Sequence, residues 1–376
     1  MTSKEIGALR RRMRPDRTNM TSVRGCYVSA SGEILSTFRE SVALMSQEDK
    51  ESYLSIFRRV LSGAQDKNLI DLSFQTSQVA DSDEHRLLMA LRNSGLDDEQ
   101  ALETFYQTVT SALASEDHYL ILLAHERYDV PFKAKDGAML EDGSQVFTYV
   151  LCAICPVKPG KAALRYNAEE KEFHNQGGAY TVGAPELGFL FPAFDGRRTN
   201  LYNCLYYSHS LANNHPELVQ ALFRLEPPEP AEVQKESFGE LLSQSLEDAC
   251  SLPLVQKVHE QLRQNIEAHK ELKSDEPLVV SRQEVSDVLS TCGVEEAKLA
   301  KFNVEFDQHF GADAALSPAN LIDAKKFQLK TPDVTIQVNP ERTDLVQTRV
   351  IGGVKYLLIC ADDGVEVNGI QVDLDE

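Results

Sequence analysis

The residue types best suited to proton transfer and anion binding fall near the ends of predicted strands in the middle of the chain. A histidine beside a carboxylate can transfer protons, and paired arginines can hold a phosphate or a carboxylate. We expect these side chains to line one rim of a central sheet and to form a candidate site there. The competing interpretation is a solvated rim with local salt bridges. The six residues of this rim site are His125, Asp129, Asp195, Arg197, Arg198 and His209.

A second candidate site is a cluster of arginines near the N-terminus. The chain has a net charge of -20, yet residues 4–24 are mainly basic. We expect this segment to be a basic arm that binds RNA, the ribosome or an acidic protein, because guanidinium groups suit phosphate and carboxylate alike. Such arms are also often merely solvated, and this one could instead fold back onto acidic helices predicted at 213–325. The arginines of the arm are Arg10, Arg11, Arg12, Arg14 and Arg17.

The sequence Cys152-Ala153-Ile154-Cys155 has the spacing of a redox motif or of half a zinc site, but its surroundings favour a structural role. The pair lies in an apolar run that predicts a strand, and positions i and i+3 of a strand face opposite sides. The sequence has no second CxxC pair, so we expect buried thiols here, and neither a metal nor a cofactor. The odd number of cysteines, seven, is typical of free thiols in a reducing compartment.

The elements that must position these residues are predicted strands and capped helices. Residues 118–124 and 147–155 are apolar at almost every position, which predicts strands that are buried on both faces. Thr2-x-x-Glu5 and Ser46-x-x-Asp49 are N-cap patterns that predict a helix after each. We therefore predict an α+β fold with a mostly antiparallel central sheet, flanking helices, an acidic helical region and a small C-terminal β unit.

Changes in composition divide the chain into four predicted regions. Residues 1–116 form an N-terminal region with a hairpin and helices, and residues 117–212 form a central β-sheet region; the two could share one sheet. Residues 213–325 form the acidic helical region, in which Pro227, Pro228 and Pro230 mark a linker. Residues 326–376 form a C-terminal unit of β-hairpins, because Gly-Gly and Asn-Gly pairs separate short alternating strands there.

Composition and charge indicate a cytoplasmic protein. The charged fraction of 26% and the hydrophobic fraction of 42% are those of an ordinary globular chain. No apolar run approaches the roughly 18 residues of a membrane span, and the first residues lack the apolar segment of a secretory signal. The excess of acidic residues disfavours binding of nucleic acid by the body of the protein, which leaves the basic arm as the region suited to it.

Several short blocks of the sequence stand out when they are taken together. They are Gly25-Cys26-Tyr27-Val28, Leu61-Ser62-Gly63, Tyr128-Asp129-Val130-Pro131, residues 152–157, residues 188–194, residues 337–340 with 342–345, and Val365-Glu366-Val367-Asn368-Gly369. On these blocks the chain resembles, over nearly its whole length, a family of uncharacterised bacterial proteins of similar length, known only as a domain of unknown function. The resemblance implies a bacterial cytoplasmic protein and implies nothing about its chemistry.

Two functions are consistent with these patterns. The first is a non-enzymatic cytoplasmic binding protein that acts through the basic arm. The alternative is a hydrolase or a phosphate-ligand enzyme that uses the rim around His125, Asp129, Asp195 and Arg197. The alternative requires the rim side chains to come within about 3–6 Å of each other. No serine-elbow, zinc-protease or phosphate-loop motif in the sequence supports it.

Overall fold

The computed structural model describes residues 1–133, 139–160, 163–167, 169–176, 178–272, 278–312, 314–361 and 364–372. The chain divides into two compact units, Met1–Pro230 and Ala231–Glu376. The fold is α+β, as the sequence predicted, with a large antiparallel sheet in the first unit and small strand pairs in the second. Over the described ranges, no helix combines the length and the apolar character needed to cross a membrane.

One large antiparallel sheet organises the first unit. The strands of this unit are β1 (Ser22–Val28), β2 (Ile34–Ser41), β3 (Leu69–Ser73), β4 (His118–Lys133), β5 (Met139–Pro159), β6 (Ala163–Asn167), β7 (Glu172–Gln176), β8 (Tyr180–Val182), β9 (Leu187–Phe191), β10 (Ala193–Asp195), β11 (Arg198–Asn200) and β12 (Asn203–Ser208). The large sheet has the order β2-β1-β4-β5-β9-β12-β3, with β8 on one end of β5. The other four strands form two small hairpins, β6-β7 and β10-β11. The predicted regions 1–116 and 117–212 therefore contribute to the same sheet.

Helices cover both faces of this sheet. They are α1 (Ser3–Arg12), α2 (Gln47–Val60), α3 (Thr76–Asp81), α4 (Asp83–Ser94), α5 (Glu99–Ala112) and α6 (Pro216–Phe223). Apolar residues of α1 and α2 share a buried cluster with one face of the sheet. Those of α4, α5 and α6 share a second buried cluster with the other face. We call these the α1–α2 face and the α4–α6 face.

The central strand β4 is buried on both faces, which explains why polar and apolar residues do not alternate in its apolar run. Ile121 and Leu123 belong to the core of the α4–α6 face, whereas Leu122 and Ala124 belong to the core of the α1–α2 face. All four side chains are fully buried. The continuous apolar run is therefore required by burial on both sides, and the prediction made from it is confirmed.

Helix α2 lies close to the sheet because of a glycine in the strand beneath it. Its N-cap is Ser46, whose hydroxyl accepts a hydrogen bond from the Asp49 amide. Its apolar stripe is buried, and Val60 is the last residue of that stripe. A Cβ at Gly188 would lie 2.5 Å from the Cys152 carbonyl oxygen and 2.8 Å from a Val60 methyl group. Only a residue without a side chain permits this approach.

The second unit has a helical core and three C-terminal strand pairs. Its helices are α7 (Ala231–Leu246), α8 (Leu252–Leu272), α9 (Arg282–Thr291), α10 (Glu296–Phe310) and α11 (Pro318–Leu321), with short 3-10 helices at Glu247–Ala249 and Pro340–Leu345. The strands are β13 (Val280–Ser281), β14 (Ala315–Leu316), β15 (Phe327–Lys330), β16 (Thr335–Val338), β17 (Val346–Ile351), β18 (Val354–Ile359), β19 (Val365–Val367) and β20 (Ile370–Val372). The β17-β18 hairpin exposes apolar side chains, including Val350, Val354 and Ile359.

Two sequence predictions differ from the structure in their boundaries. The apolar runs predicted strands at 118–124 and 147–155, but strand pairing of β4 with β5 continues to Lys133 and Met139, and residues 134–138 lie outside the described part. The acidic helical region was predicted to begin at 213, whereas the first unit extends to Pro230. The reason is α6, whose Leu222 and Phe223 are buried in the core of the α4–α6 face.

The cysteines behave mainly as core residues. Cys26, Cys152, Cys155 and Cys204 are buried, Cys250 and Cys292 are half-buried, and all are free thiols. Cys152 and Cys155 lie in cores on opposite faces of the sheet, so their sulfurs cannot act as a pair. Burial raises the pKa of the Cys26 thiol to about 11 and that of Cys155 to about 12.

Thiol labelling of the native protein should follow this division. We expect Cys360 to be labelled first, because it is an exposed residue and burial does not exclude the reagent from it. The four buried cysteines should stay unlabelled until the protein is denatured, since burial both excludes the reagent and suppresses the reactive thiolate. Mass spectrometry of peptides from protein alkylated at mildly alkaline pH checks this. Early modification of Cys152 or Cys155 would contradict it.

The substitution Gly188→Ala should destabilise the first unit. The added methyl group meets the backbone of β5, which cannot move aside as a flexible side chain can. Overpacking of this kind costs about 1–3 kcal/mol in the free energy of unfolding. Gly239→Ala is the control, because nothing lies within 4 Å of its added Cβ and alanine is the better helix former. Chemical denaturation of both variants should give opposite shifts.

Candidate functional site

The residues of the predicted rim site lie in four places in the structure. His125 is in β4, where it follows Leu123 by two positions and so faces the same side, the α4–α6 face. An added Cβ at Gly95, just after α4, would lie 3.7 Å from its ring. Burial lowers the pKa of His125, and the charges of Arg92 and Arg127 lower it further. This histidine is held neutral in a packed environment.

The second group is the β10-β11 hairpin, which lies near α1. Asp195 is paired with Arg198 across the hairpin. The backbone amide of Arg197 donates to the Glu5 carboxylate of α1 at 3.1 Å, and both Glu5 and Asp195 raise the pKa of Asp71 after the larger effect of burial. This group is therefore on the side of the sheet opposite to His125. Asp129 belongs to neither group: it is an exposed residue of β4, opposite Val146 of β5.

His209 is at the other end of the sheet. Its amide donates to the Glu186 carbonyl, and the Glu186 amide donates to the Ile154 carbonyl. These bonds place His209 in the same cross-strand row of the sheet as Leu120. Leu120 lies five residues before His125 in β4, so the two histidines are about 16 Å apart along the strand direction alone. The six rim residues do not converge, so the geometric condition of the enzyme hypothesis is not met by this set.

The arginines of the predicted arm divide into one inward residue and four outward ones. Arg12 donates through Nε to Glu126 Oε1 at 2.8 Å, and its guanidinium lies 4.7 Å from the centre of the Tyr128 ring. Glu126 is 0% exposed and accepts two further hydrogen bonds, from Tyr149 Oη at 2.6 Å and from the Asn19 amide at 3.1 Å. The buried carboxylate thus has a charged partner and two neutral donors, as a charge in a core requires.

The other four arginines form an exposed surface. Helix α1 is held by a capping box between Thr2 and Glu5 and by its buried residues Ile6 and Leu9. The side chains on its outer side and in the turn that follows reach solvent. We call this surface the arginine face; it consists of Arg10, Arg11, Arg14 and Arg17.

A large cleft lies beside α2 at the end of the sheet where His209 lies. Its volume is about 1040 Å³, and it is bounded by the outer side of α2, the end of β12 and residues 182–185. Arg59 of α2 and Tyr207 near the end of β12 both border this cleft. Burial raises the pKa of Tyr207, and Arg59 offsets part of this rise. We call this space the α2 cleft; its polar lining includes Ser55, Arg59, Ser62, Asn68, Tyr207 and His209.

Sequence reasoning selected His209 but missed Arg59, Tyr207 and Glu126. The helical period of Leu54, Phe57 and Val60 places Arg59 on the outer side of α2, so this residue was open to prediction. Its position in the same cleft lining as Tyr207 was not, because that depends on how α2 packs on the sheet. Among the described residues, no group of three or more histidine, cysteine, aspartate or glutamate side chains is arranged to hold a metal ion.

Comparison with known proteins places the chain in a family. The family model described as "Domain of unknown function (DUF4317)" matches residues 1–370. The chain therefore belongs to that family, and the resemblance seen in the sequence is confirmed. A search of curated proteins found no match to the chain.

The substitution Arg12→Met should destabilise the first unit strongly. It keeps most of the aliphatic side chain but leaves Glu126 buried without its cationic partner. Breaking a buried ion pair from one side costs about 3–5 kcal/mol in the free energy of unfolding. Arg11→Met is the matched control on the same helix, where we expect a change within about 0.5 kcal/mol because the side chain is exposed. Equal denaturation midpoints for the two variants would show that the pair has no structural role.

Proposed function

We propose that this member of the DUF4317 family is a non-enzymatic cytoplasmic binding protein that holds an anionic macromolecule on its arginine face, with RNA, free or in the ribosome, as the favoured partner. The observation that carries the proposal is that the five arginines of the predicted arm lie in two different environments. Arg12 is committed to Glu126, whereas the other four present their guanidinium groups to solvent. Arg12 thereby fixes the helix that displays the others.

The charges of the arginine face are not neutralised locally. Within the described ranges, Arg17 has a weak ion pair with Asp16 at 3.7 Å, and no carboxylate forms an ion pair with Arg10, Arg11 or Arg14. This is unusual in a chain with 58 acidic residues. Basic residues near a helix C-terminus also interact favourably with the helix dipole, but that effect is worth only about 0.3–1 kcal/mol each at an exposed site. It does not require four exposed arginines.

RNA is favoured because it carries one fixed charge per nucleotide along a flexible chain, which matches a row of closely spaced guanidinium groups. An acidic protein surface is the second partner class that this chemistry admits. The hydrolase alternative finds less support, because the residues on which it was based lie in separate places. We therefore propose a binding protein and not a hydrolase.

The test replaces the arginine face and leaves Arg12 intact. In the variant, Arg10, Arg11, Arg14 and Arg17 are all changed to Gln, and binding of a fluorescent single-stranded RNA is measured between about 50 and 200 mM salt. We expect the native protein to bind with a steep salt dependence. Each lost arginine–phosphate contact should reduce the slope of log K against log salt by about 0.7.

The control variant removes the same charge from scattered sites. It changes four exposed basic residues elsewhere to Gln, namely Arg86, Lys158, Lys257 and Lys330. Equal RNA affinity of the two variants would overturn the arginine face as the binding site. Binding of polyglutamate but not RNA would favour an acidic protein partner. A lower melting temperature of the first variant would instead indicate that these arginines stabilise the fold through contacts within the same molecule.

A further inference from the structure

The structure assigns a second binding site, independent of the arginine face, to the α2 cleft: we propose that it takes a small organic anion whose carboxylate or phosphate head group is bound by Arg59, Tyr207 and His209. The body of that ligand would be apolar. Four features of the cleft lead to this assignment.

The first feature is the state of Arg59. Neighbouring Arg58 is neutralised, since it pairs with Glu51 at 2.9 Å and donates to the Met13 carbonyl at 3.3 Å. Over the described part of the chain, no carboxylate forms an ion pair with Arg59. Tyr207, whose pKa the positive charge of Arg59 lowers, lies in the same lining. The cleft therefore contains a positive charge with open donors, which suits an anion.

The second feature is the Tyr207 hydroxyl in the same lining as Arg59. A phenolic hydroxyl can donate its hydrogen to an anionic oxygen, and a guanidinium group can only donate. Tyr207 is only 3% exposed, so its hydroxyl is held in place at the base of the cleft. The two side chains together present N–H and O–H donors to the same space.

The third feature is that several other polar groups of the lining already have hydrogen-bond partners. The hydroxyls of Ser55 and Ser62 donate to helix carbonyls of α2, and the Asn68 amide group donates to the carbonyls of Ser208 and His209. The last contact fixes the backbone of His209 and leaves its exposed imidazole beside the cleft.

The fourth feature is the apolar remainder of the lining. Ile56, Leu120, Val182, Pro185 and Leu211 border the same space. A volume of about 1040 Å³ is at the upper end of ordinary ligand pockets and exceeds what inorganic phosphate needs. A fixed donor group beside apolar walls selects a ligand with one charged end and one apolar end.

Titration of the full chain with four probes tests the assignment. The probes are 4-phenylbutyrate, phenyl phosphate, inorganic phosphate and the neutral 4-phenylbutanol, and binding is followed by saturation-transfer NMR and calorimetry. We expect 4-phenylbutyrate or phenyl phosphate to bind better than both inorganic phosphate and the alcohol. Whichever of the two binds more tightly identifies the head group.

Three variants locate the site. Arg59→Gln should weaken binding of the preferred probe about tenfold or more, because a charge-assisted hydrogen bond is lost. Tyr207→Phe should weaken it less and removes only a hydroxyl. The variant with four Gln residues on the arginine face should bind the probe as the native protein does, which separates this site from the proposed function.

Three results would overturn the assignment. They are absence of binding by every probe across the millimolar range, equal binding of the acid and the alcohol, and unchanged affinity in Arg59→Gln. Since Arg59 is exposed, this variant should keep the native melting temperature, and a folded variant with native affinity is a clear negative result.

Discussion

The buried carboxylate of Glu126 is the constraint on which much of the first unit depends. A charge at 0% exposure is tolerated only with partners, and each partner comes from a different part of the chain. Arg12 comes from α1, Tyr149 from β5, and the Asn19 amide from the segment that leads into β1. One charged group thereby specifies how the N-terminal helix meets the central sheet. The display of the other arginines on that helix is a consequence of the same contact.

The sequence allowed the fold class and several elements to be predicted, because these follow from local patterns. Burial of β4 on both faces was visible in its unbroken apolar run, and the N-cap of α1 was visible in Thr2 and Glu5. The opposite orientation of Cys152 and Cys155 followed from strand geometry alone. The extent of the β4-β5 hairpin was missed, because its outer part is polar and is held by pairing that composition does not reveal.

The candidate sites were less predictable because they depend on contacts between distant residues. His125 and His209 look equivalent in sequence, as each follows an apolar strand. In an antiparallel sheet, however, the ends of successive strands alternate between two edges, and successive residues alternate between two faces. The rim hypothesis did not account for either alternation. Arg12 shows the same difficulty, since nothing in the run Arg10-Arg11-Arg12 distinguishes the residue that meets a buried glutamate.

The β17-β18 hairpin has a consequence for the behaviour of the protein in concentrated solution. Within the described part of the chain it is a two-stranded ribbon with no third strand on either edge, and apolar side chains such as Val350 and Ile359 are exposed on it. Ribbons of this kind can add strands from neighbouring molecules. Arg349 and Lys355 interrupt the apolar surface, and the net charge of -20 makes the average long-range interaction between two copies repulsive. Colloidal stability at low ionic strength thus rests on long-range repulsion, whose reach shrinks to about 3 Å in 1 M salt.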